Sequence, residues 1–314
     1  MIRASAPGKL IISGEYAVLD GAPCLVVAID RRAICQLETC DHWQFSSCGY
    51  SAQTSSFTKT AYESEPDKGD AGQLAWHSYQ ALAETSEPAK LHTNTEAFYA
   101  QRTKYGFGSS AAMSVAISGA LAHSSNQKPD FATALKAHKS FQGGQGSGAD
   151  VAAAFYGGCL HYQAQQAKPH ALPDALHWMC VWTGSSSNTQ AHINRFDDWL
   201  VKGNLTSFDN LKSASEHLTT ANNFLSALKE YVECLAEFDS IAQLNIYTDA
   251  HRKLSDLAAS LNVVYKPSGA GGGDLGLFVS EDPEHMNNFS QQAAQLGFQP
   301  LSMPITDQGL QIEL

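Results

Sequence analysis

The stretch Lys104-Tyr-Gly-Phe-Gly-Ser-Ser-Ala-Ala-Met113 decides how the rest of the sequence is interpreted. Gly106 and Gly108 permit a tight turn, and the small, apolar run from Ala111 to Ile117 predicts a buried helix. The first N–H groups of a helix have no partner within it and lie at the positive end of the helix dipole, so such a turn suits an anion, phosphate above all. The alternative is an ordinary glycine-containing loop with a serine N-cap.

Length and composition indicate an ordinary globular protein of two subdomains. The chain has 314 residues, of which 43% are apolar and 16% are charged. The segment from Lys168 to Pro173 predicts a linker, so we expect an N-terminal subdomain at 1–167 and a C-terminal subdomain at 168–314. A formal net charge of −11 argues against nucleic acid or a membrane surface as partner. An anionic ligand would therefore need a local cluster of donors.

Several absences in the sequence predict a cytoplasmic protein. The N-terminus lacks a secretory signal, and no apolar run is long enough to cross a membrane. Seven cysteines, an odd number, are typical of reduced thiols rather than a disulfide framework. Cys35, Cys40, His42 and Cys48 lie close together but lack a Cys-x-x-Cys pair, which disfavours a zinc site.

The predicted helices and strands do not alternate as in a doubly wound sheet, so the sequence predicts a mixed α+β fold. A turn at Pro7-Gly8 is expected to divide the first strand into two. The segment from Ser46 to Gly72 is rich in Ser, Thr and Gly, and predicts hairpins or a surface loop. Two long amphipathic helices are expected near Asn222 to Phe238 and Ile241 to Leu261.

Glycine-rich motifs occur at three widely separated places. They are Pro7-Gly-Lys-Leu10 with Gly14-Glu15, then Gly106-x-Gly-Ser-Ser-Ala-Ala112, then Ser268-Gly-Ala-Gly-Gly-Gly-Asp274. In this order they resemble the motifs of the galactokinase, homoserine kinase, mevalonate kinase and phosphomevalonate kinase (GHMP) superfamily, over nearly the whole chain. There is no Walker Gly-Lys-Ser/Thr sequence and no protein-kinase catalytic loop. The resemblance implies a two-subdomain fold, with a ribosomal-protein S5-like N-terminal half and a ferredoxin-like C-terminal half.

Within this superfamily the sequence is most similar to the phosphomevalonate kinases. Tyr16 stands where mevalonate kinases usually carry His, and Lys104 replaces their proline-led entry to the glycines. The resemblance implies a kinase that uses ATP and Mg²⁺ to convert a small molecule, phosphomevalonate, to diphosphomevalonate in isoprenoid precursor synthesis. The alternatives are a mevalonate kinase, a sugar kinase of the superfamily, or a nucleotide-binding module without catalysis. Whether the chain forms a homodimer stays open.

The resemblance also implies roles for individual residues. Asp150 would accept or orient the proton of the acceptor, and Lys9 would balance charge on the transferring group. Ser109 or Ser110 would offer a hydroxyl to phosphate or Mg²⁺, and we expect Ser110 to be the metal ligand. The implied ATP phosphate-binding residues are Gly106, Gly108, Ser109, Ser110 and Ala111, and the implied substrate-binding residues are Glu15, Tyr16, Lys104, His138, Gln142, Ser147, Ser187, Thr189, Gly271 and Gly272.

Other interpretations of these residues stay open. Ser147-x-x-Asp150 before an apolar helix is also a capping box. His138 and Gln142 could equally be a helix face packed against the core. No carboxylate precedes Asp150 where mevalonate kinases hold magnesium, so the implied metal ligands are incomplete. A phosphorylated acceptor would need a second basic site, for which the candidates are Lys104, Lys266, Arg102 and Arg195.

Overall fold

The computed structural model describes residues 1–49, 53–57, 69–82, 87–100, 103–201 and 205–314. Arg102 and much of the segment 46–72 lie outside these ranges. The chain forms two compact units, the first from Met1–Lys9, Val27–Gly158 and Ile305–Leu314, and the second from Leu10–Val26 and Cys159–Pro304. The expected division near residue 167 stays a prediction.

Strands of the described residues are numbered here in chain order. They are β1 (Ile2–Ser13), β2 (Cys24–Thr39), β3 (Trp43–Cys48), β4 (Gln53–Phe57), β5 (Ala89–Asn94), β6 (Tyr99–Ala100), β7 (Thr103–Lys104), β8 (Cys159–Gln163), β9 (Gln166–Pro169), β10 (His177–Trp182), β11 (Val264–Pro267), β12 (Leu275–Ser280), β13 (Gln299–Leu301) and β14 (Gln311–Glu313).

Helices of the described residues are numbered in the same way. They are α1 (Gly69–Ala81), α2 (Ser109–Ser124), α3 (Phe131–Phe141), α4 (Ala149–Tyr156), α5 (Thr189–Leu200), α6 (Thr206–Thr220), α7 (Phe224–Ala242), α8 (Asp249–Ser260) and α9 (Pro283–Gln295). Two short 3-10 helices lie at Ala17–Asp20 and Glu96–Phe98. None of the described helices combines the length and the apolar character that a membrane span requires.

The first unit combines a mixed sheet with packed helices. Its strands follow the order β14-β1-β2-β5-β3-β4, and β3 runs parallel to β5 while the other registered pairs are antiparallel. Helices α1 to α4 pack against one another. Residues 111–122 of α2 are all buried, as the small apolar run predicted. The helix can be enclosed because Ala, Gly and Ser let its neighbours approach closely.

The predicted turn at Pro7-Gly8 is wrong, because β1 continues through both residues. Gly8 is required for a different reason. A Cβ atom there would lie 2.8 Å from both the carbonyl oxygen of Phe107 and the ring of Phe98. The glycine therefore permits a close approach of the chain before α2 to β1, and it does not reverse the chain direction.

The second unit contains a four-stranded antiparallel sheet in the order β11-β12-β10-β13. Apart from α5 to α7, which are inserted after β10, the chain order is β10, α8, β11, β12, α9, β13. With this strand order it is the split β-α-β arrangement of ferredoxin-like folds. Residues of α8, α9 and the sheet form one core, among them Leu254, Phe278 and Phe289, each essentially unexposed. The α+β fold expected from the sequence is confirmed.

The helix expected from Ile241 to Leu261 begins later than predicted. Helix α7 continues to Ala242, and Gln243 and Asn245 then adopt left-handed backbone angles that break the helix. Helix α8 begins only at Asp249, after the side chain of Thr248 accepts a hydrogen bond from the His251 N–H. The apolar periodicity therefore predicted two helices correctly but placed the break between them too early, before Ile241 instead of after Ala242.

Candidate functional site

The residues predicted to bind phosphate form an uncapped helix N-terminus in the first unit. Gly106 and Gly108 have φ angles of 91° and 78°, and Gly108 is the N-cap of α2. No side chain caps this helix, so its first N–H groups are available to a ligand. We call Lys104–Gly108 the glycine loop. The predicted turn and helix are both present.

Lys9 lies along the glycine loop. Its backbone N–H donates to the carbonyl of Phe107 over 2.9 Å, and its ammonium lies 3.4 Å from the carbonyl oxygen of Gly106. A Cβ atom at Gly108 would lie 3.1 Å from Lys9 Cγ, so a larger residue at this position would press on the lysine stem. The structure therefore places the predicted lysine beside the start of α2.

The two serines that begin α2 have different environments. Ser109 is 0% exposed, and its hydroxyl has no hydrogen-bond partner among the described residues. Ser110 is half-buried, and its Oγ lies 3.3 Å from Nε2 of His138. Of the two hydroxyls that the sequence offered, the geometry favours Ser110 as the one that could meet a ligand.

Asp150 is the second residue of α4, and it does not form the alternative capping box. The N-cap is Gly148, with no side-chain cap, and the hydroxyl of Ser147 accepts the N–H of Ala149 over 3.2 Å. Oδ1 of Asp150 accepts the N–H of Val151 over 2.9 Å. Among the described residues no ion pair joins Asp150 to Lys9, so the two predicted catalytic residues do not contact each other directly.

The structure brings His138 into the same region. It lies on α3 and is 1% exposed. Burial lowers the pKa of His138, the negative charge of Asp150 acts in the opposite direction, and the positive charge of Lys104 lowers it further. Lys104 pairs with Tyr99 in the hairpin of β6 and β7. Ser110 thus contacts His138, and Asp150 and Lys104 act electrostatically on the same histidine.

Gln142 follows α3 as its C-cap, and its N–H donates to the carbonyl of His138 over 3.0 Å. It therefore begins the glycine-rich segment that leads to α4. Both sequence alternatives for His138 are compatible with its position. Its burial fits packing in the core, and its contact with Ser110 fits a functional role.

Arg31 is a residue of this region that the motifs did not indicate. Its guanidinium carbon lies 5.3 Å from the ring centroids of both Tyr105 and Phe107, and it donates to the carbonyl of Ala97 over 2.5 Å. Cation–π contacts of this kind hold the aromatic side chains of the glycine loop in place. No local signal could have revealed Arg31, because it lies on β2, more than 70 positions earlier in the chain.

Glu15, in the second unit, is fully engaged by protein groups. Its Oε1 accepts hydrogen bonds from the ammonium of Lys266 and, over 3.3 Å, from the N–H of Gly269. The hydroxyl of Tyr231 donates to Oε2 over 2.6 Å and accepts the N–H of Gly14 over 2.9 Å. The carboxylate thus connects the first glycine motif to the third. Lys266 is correspondingly committed, which weakens it as a candidate for binding an acceptor phosphate.

Tyr16, Ser187 and Gly272 gather around His192, a residue that the motifs did not indicate. The Tyr16 hydroxyl lies 3.3 Å from His192 Nδ1 and donates to the carbonyl of Ala270 over 2.5 Å. A Cβ atom at Gly272 would lie 2.1 Å from His192 Nε2 and 3.1 Å from Ser187 Oγ. Burial lowers the pKa of His192 and favours the neutral ring. His192 follows Thr189 by three positions, and that spacing could have suggested a shared helix face.

The remaining predicted residues of the second unit lie in the same two segments. Thr189 begins α5, whose N-cap Asn188 accepts the N–H of Ala191 over 3.1 Å. Gly271 precedes Gly272 in the third motif. Oδ1 of Asp274 accepts the N–H of Ser187 over 3.0 Å, so the end of this motif is attached to the segment before α5.

Within the described ranges, no three His, Cys, Asp or Glu side chains are grouped closely enough to hold a metal ion.

Comparison with known proteins shows which family the central part of this chain resembles. Residues 73–158 match the sequence model of the GHMP kinases N terminal domain. This range contains the glycine loop, the start of α2, His138 and Asp150. The resemblance inferred from the three motifs is confirmed.

Two relatives are similar over essentially the whole chain. Phosphomevalonate kinase from Streptomyces sp. (strain CL190) is 24% identical, with 97% of each chain covered. Mevalonate kinase from Pyrococcus abyssi is 26% identical, with 100% of this chain and 98% of the relative covered. Among solved structures, Streptococcus pneumoniae phosphomevalonate kinase in complex with phosphomevalonate and AMPPNP has a TM-score of 0.76 and 20% identity, with 97% of this chain and 100% of that chain covered.

Proposed function

We propose that this chain, a kinase of the GHMP family, transfers the γ-phosphoryl group of ATP to phosphomevalonate and so forms diphosphomevalonate, an isoprenoid precursor. The observation that carries the proposal is the uncapped N-terminus of α2 beside Lys9, where Ser110 contacts His138 and where Asp150 and Lys104 act electrostatically on that histidine. The phosphomevalonate kinase from Streptomyces supports the choice of substrate. Identity of this order leaves mevalonate as the competing acceptor.

The N-terminus of α2 would bind the phosphates of ATP. The N–H groups of Ser109, Ser110 and Ala111 lie at the positive end of a 16-residue helix and are not satisfied by a capping side chain. Backbone donors of this kind suit phosphate oxygens without carrying a net charge of their own. The chain has a formal charge of −11, so local donors of this kind are needed to hold a polyanion.

Mg²⁺ fits this site through few protein ligands. The half-buried hydroxyl oxygen of Ser110 is a hard donor, and Mg²⁺ usually combines one or two protein oxygens with phosphate oxygens and water. The absence of a carboxylate cluster from the described residues is compatible with such a small number of protein ligands. When bound, the ion neutralises charge on the phosphate oxygens. Ser110 would hold it together with ATP.

Asp150 and Lys9 would serve the transfer itself. A phosphomonoester has a second pKa near 6, so at neutral pH its attacking oxygen is largely deprotonated already. Asp150 would therefore orient the acceptor and take the proton where one remains, while the ammonium of Lys9 would offset negative charge on the group in transfer. For mevalonate, a hydroxyl would have to lose its proton, and Asp150 would act as general base.

Lys104 would supply the second basic site that a phosphorylated acceptor needs. It lies at the entry of the glycine loop and acts electrostatically on His138, as Asp150 also does. The competing candidate Lys266 is 1% exposed and paired with Glu15. Lys104 is thus the better placed of the two to meet a phosphate in the first unit.

A coupled ADP-release assay with mevalonate, phosphomevalonate, homoserine and galactose, each offered separately, tests the proposal. We expect turnover with phosphomevalonate, and Lys104→Met should raise the KM for that acceptor more than the KM for ATP. The matched control is Lys136→Met, which removes an exposed lysine of α3. Turnover of mevalonate without turnover of phosphomevalonate would replace the proposal with its rival.

Mevalonate kinase is the second candidate, supported by the relative from Pyrococcus abyssi. A nucleotide-binding module without catalysis is the alternative from a different class. ADP release distinguishes the two candidates. A mevalonate kinase would release ADP when mevalonate is offered, whereas a non-catalytic module would gain thermal stability from magnesium-ATP and would release no ADP with any acceptor.

A further inference from the structure

His138 is a polar side chain enclosed within the first unit, and its hydrogen-bonding contact is with Ser110. The residue is 1% exposed, and its Nε2 lies 3.3 Å from Ser110 Oγ. Its ring also packs near Phe141, with a centroid separation of 6.5 Å. Burying a polar group costs free energy unless the group is hydrogen-bonded. The contact of the imidazole with the Ser110 hydroxyl therefore matters to the protein, and the ring does not only fill space in the core.

The burial of His138 argues against direct contact with an acceptor. A side chain with 1% exposure has almost no surface to offer to a small molecule, whereas Ser110 is half-buried and lies in the first turn of the uncapped helix α2. The sequence expectation that His138 binds the substrate therefore fits the geometry less well than a role exerted through Ser110.

The chemistry of a serine hydroxyl explains what such a role would be. The hydroxyl has one proton and two acceptor lone pairs, and its hydrogen rotates to suit its partner. A cation or its bound water needs a lone pair, so the proton must be directed elsewhere. In an imidazole with one N–H, the other ring nitrogen can accept a hydrogen bond. If Nε2 accepts the proton of Ser110, the lone pairs of that oxygen are left for the ligand.

We infer that His138 is a positioning residue that holds the hydroxyl of Ser110 with its lone pairs toward the magnesium-ATP site. The inference rests on the proposed function, since it gives Ser110 a role in binding magnesium-ATP. His138 on α3 and Ser110 on α2 act as one unit, in which the imidazole orients the hydroxyl and the hydroxyl meets the ligand. The groups that act electrostatically on this histidine from neighbouring elements are Asp150 of α4 and Lys104 of β7.

The test uses the full-length protein and five variants: His138→Leu, His138→Gln, Ser110→Ala, the double variant His138→Leu/Ser110→Ala, and Leu135→Ala. The main readout is the ratio of ATP dissociation constants without and with Mg²⁺, measured with a fluorescent ATP analogue. The second readout is kcat with the acceptor that the wild type uses. Leu135 is 4% exposed and lies on α3 one turn before His138, so its variant controls for loss of stability alone.

We expect His138→Leu and Ser110→Ala each to reduce the Mg²⁺-dependent gain in ATP affinity and kcat by about 10- to 100-fold, as for residues that orient a metal ligand. The double variant should be no worse than Ser110→Ala, because the imidazole acts through that hydroxyl. His138→Gln, whose amide oxygen can accept the same proton, should recover much of the loss. Leu135→Ala should melt earlier and keep the wild-type ratio.

Three outcomes would overturn the inference. They are effects of the two single variants that multiply in the double variant, a His138→Leu variant that raises only the KM for the acceptor, and a His138→Gln variant as impaired as His138→Leu. Should His138→Leu fail to fold, His138→Gln and Ser110→Ala still decide the matter. A wild-type protein that does not bind ATP at all would instead contradict the proposed function, so the two failures are distinguishable.

Discussion

Lys266 donates a hydrogen bond to the carboxylate of Glu15, a residue 251 positions away in the chain, and each of the two side chains is only 1% exposed. A buried pair of this kind is not necessarily stabilising when compared with an apolar pair, but removing one partner leaves the other charge without compensation. The hydroxyl of Tyr231 and the N–H of Gly269 complete the environment of the carboxylate. The pair therefore fixes the third glycine motif to the first.

Lys266→Met should reduce the free energy of unfolding by about 3 to 5 kcal/mol, because the Glu15 carboxylate would remain buried without its cation. Urea unfolding measures the change. The control is Lys212→Met, which removes a lysine that is 27% exposed and pairs with Asp20 and Asp209. A surface pair of this kind should cost at most about 1 kcal/mol. Equal losses for the two variants would show that the buried pair is not essential.

Asp150→Asn should reduce kcat by orders of magnitude and leave the affinity for ATP little changed, because the carboxylate is expected to act on the acceptor. Its matched control is Asp130→Ala. Asp130 is the N-cap of α3 and accepts the N–H of Thr133 over 2.9 Å. Removing that cap should cost about 1 kcal/mol of stability with kcat unchanged. An active Asp150→Asn variant with only a lower melting temperature would assign Asp150 to the helix start instead of the reaction.

Gly108→Ala should reduce kcat/KM for ATP by about 10- to 100-fold, since small displacements of a positioned group have effects of this size. The new Cβ atom would lie 3.1 Å from Lys9 Cγ at a residue whose φ is 78°. The control Gly297→Ala introduces the same chemical change at φ 88°, where a Cβ atom meets nothing within 4 Å. Both variants incur the backbone cost of about 1 to 2 kcal/mol. Equal activity of the two would remove the argument for contact with Lys9.

Protonation of His251 should destabilise the protein in mild acid. Burial lowers its pKa from 6.5 to about 4, with an opposing effect of the Gly273 carbonyl and a further lowering by Lys266. Its ring nitrogens also contact the hydroxyl of Tyr265 over 2.6 Å and the carbonyl oxygen of Gly273 over 3.0 Å. Because the folded state binds fewer protons than the unfolded state in this window, the contribution is full above about pH 6.5 and is lost as the pH falls to about 4.

The expected loss from His251 over this window is about 3 kcal/mol of unfolding free energy. Urea unfolding at a series of pH values measures it. In His251→Gln that part of the pH dependence should disappear. The matched control is His217→Gln, at a site whose side chain is 55% exposed, and this variant should keep it. A His251→Gln variant with the wild-type pH dependence would mean that other groups cause the loss.

Local patterns predicted much of the fold because they express backbone chemistry. Glycines before a small apolar run marked the start of α2, which the structure shows to be uncapped by any side chain. The same patterns misjudged Pro7-Gly8, where the glycine permits a close approach and not a turn. They also began the second of two helices too early, at Ile241, because apolar spacing continues across Gln243 and Asn245 although both residues have left-handed backbone angles.

By itself, the sequence determined which residue types stand at the three glycine motifs, and with them the resemblance to the GHMP kinases and the candidate residues. Only the tertiary structure decided how those residues are engaged: that Ser109 is enclosed while Ser110 contacts His138, that Glu15 is paired with Lys266, and that His192 lies beside Tyr16. The physical reason is the range of the interactions. A turn or helix start depends on neighbouring residues, whereas burial and hydrogen-bond partners depend on chain segments that meet only after folding.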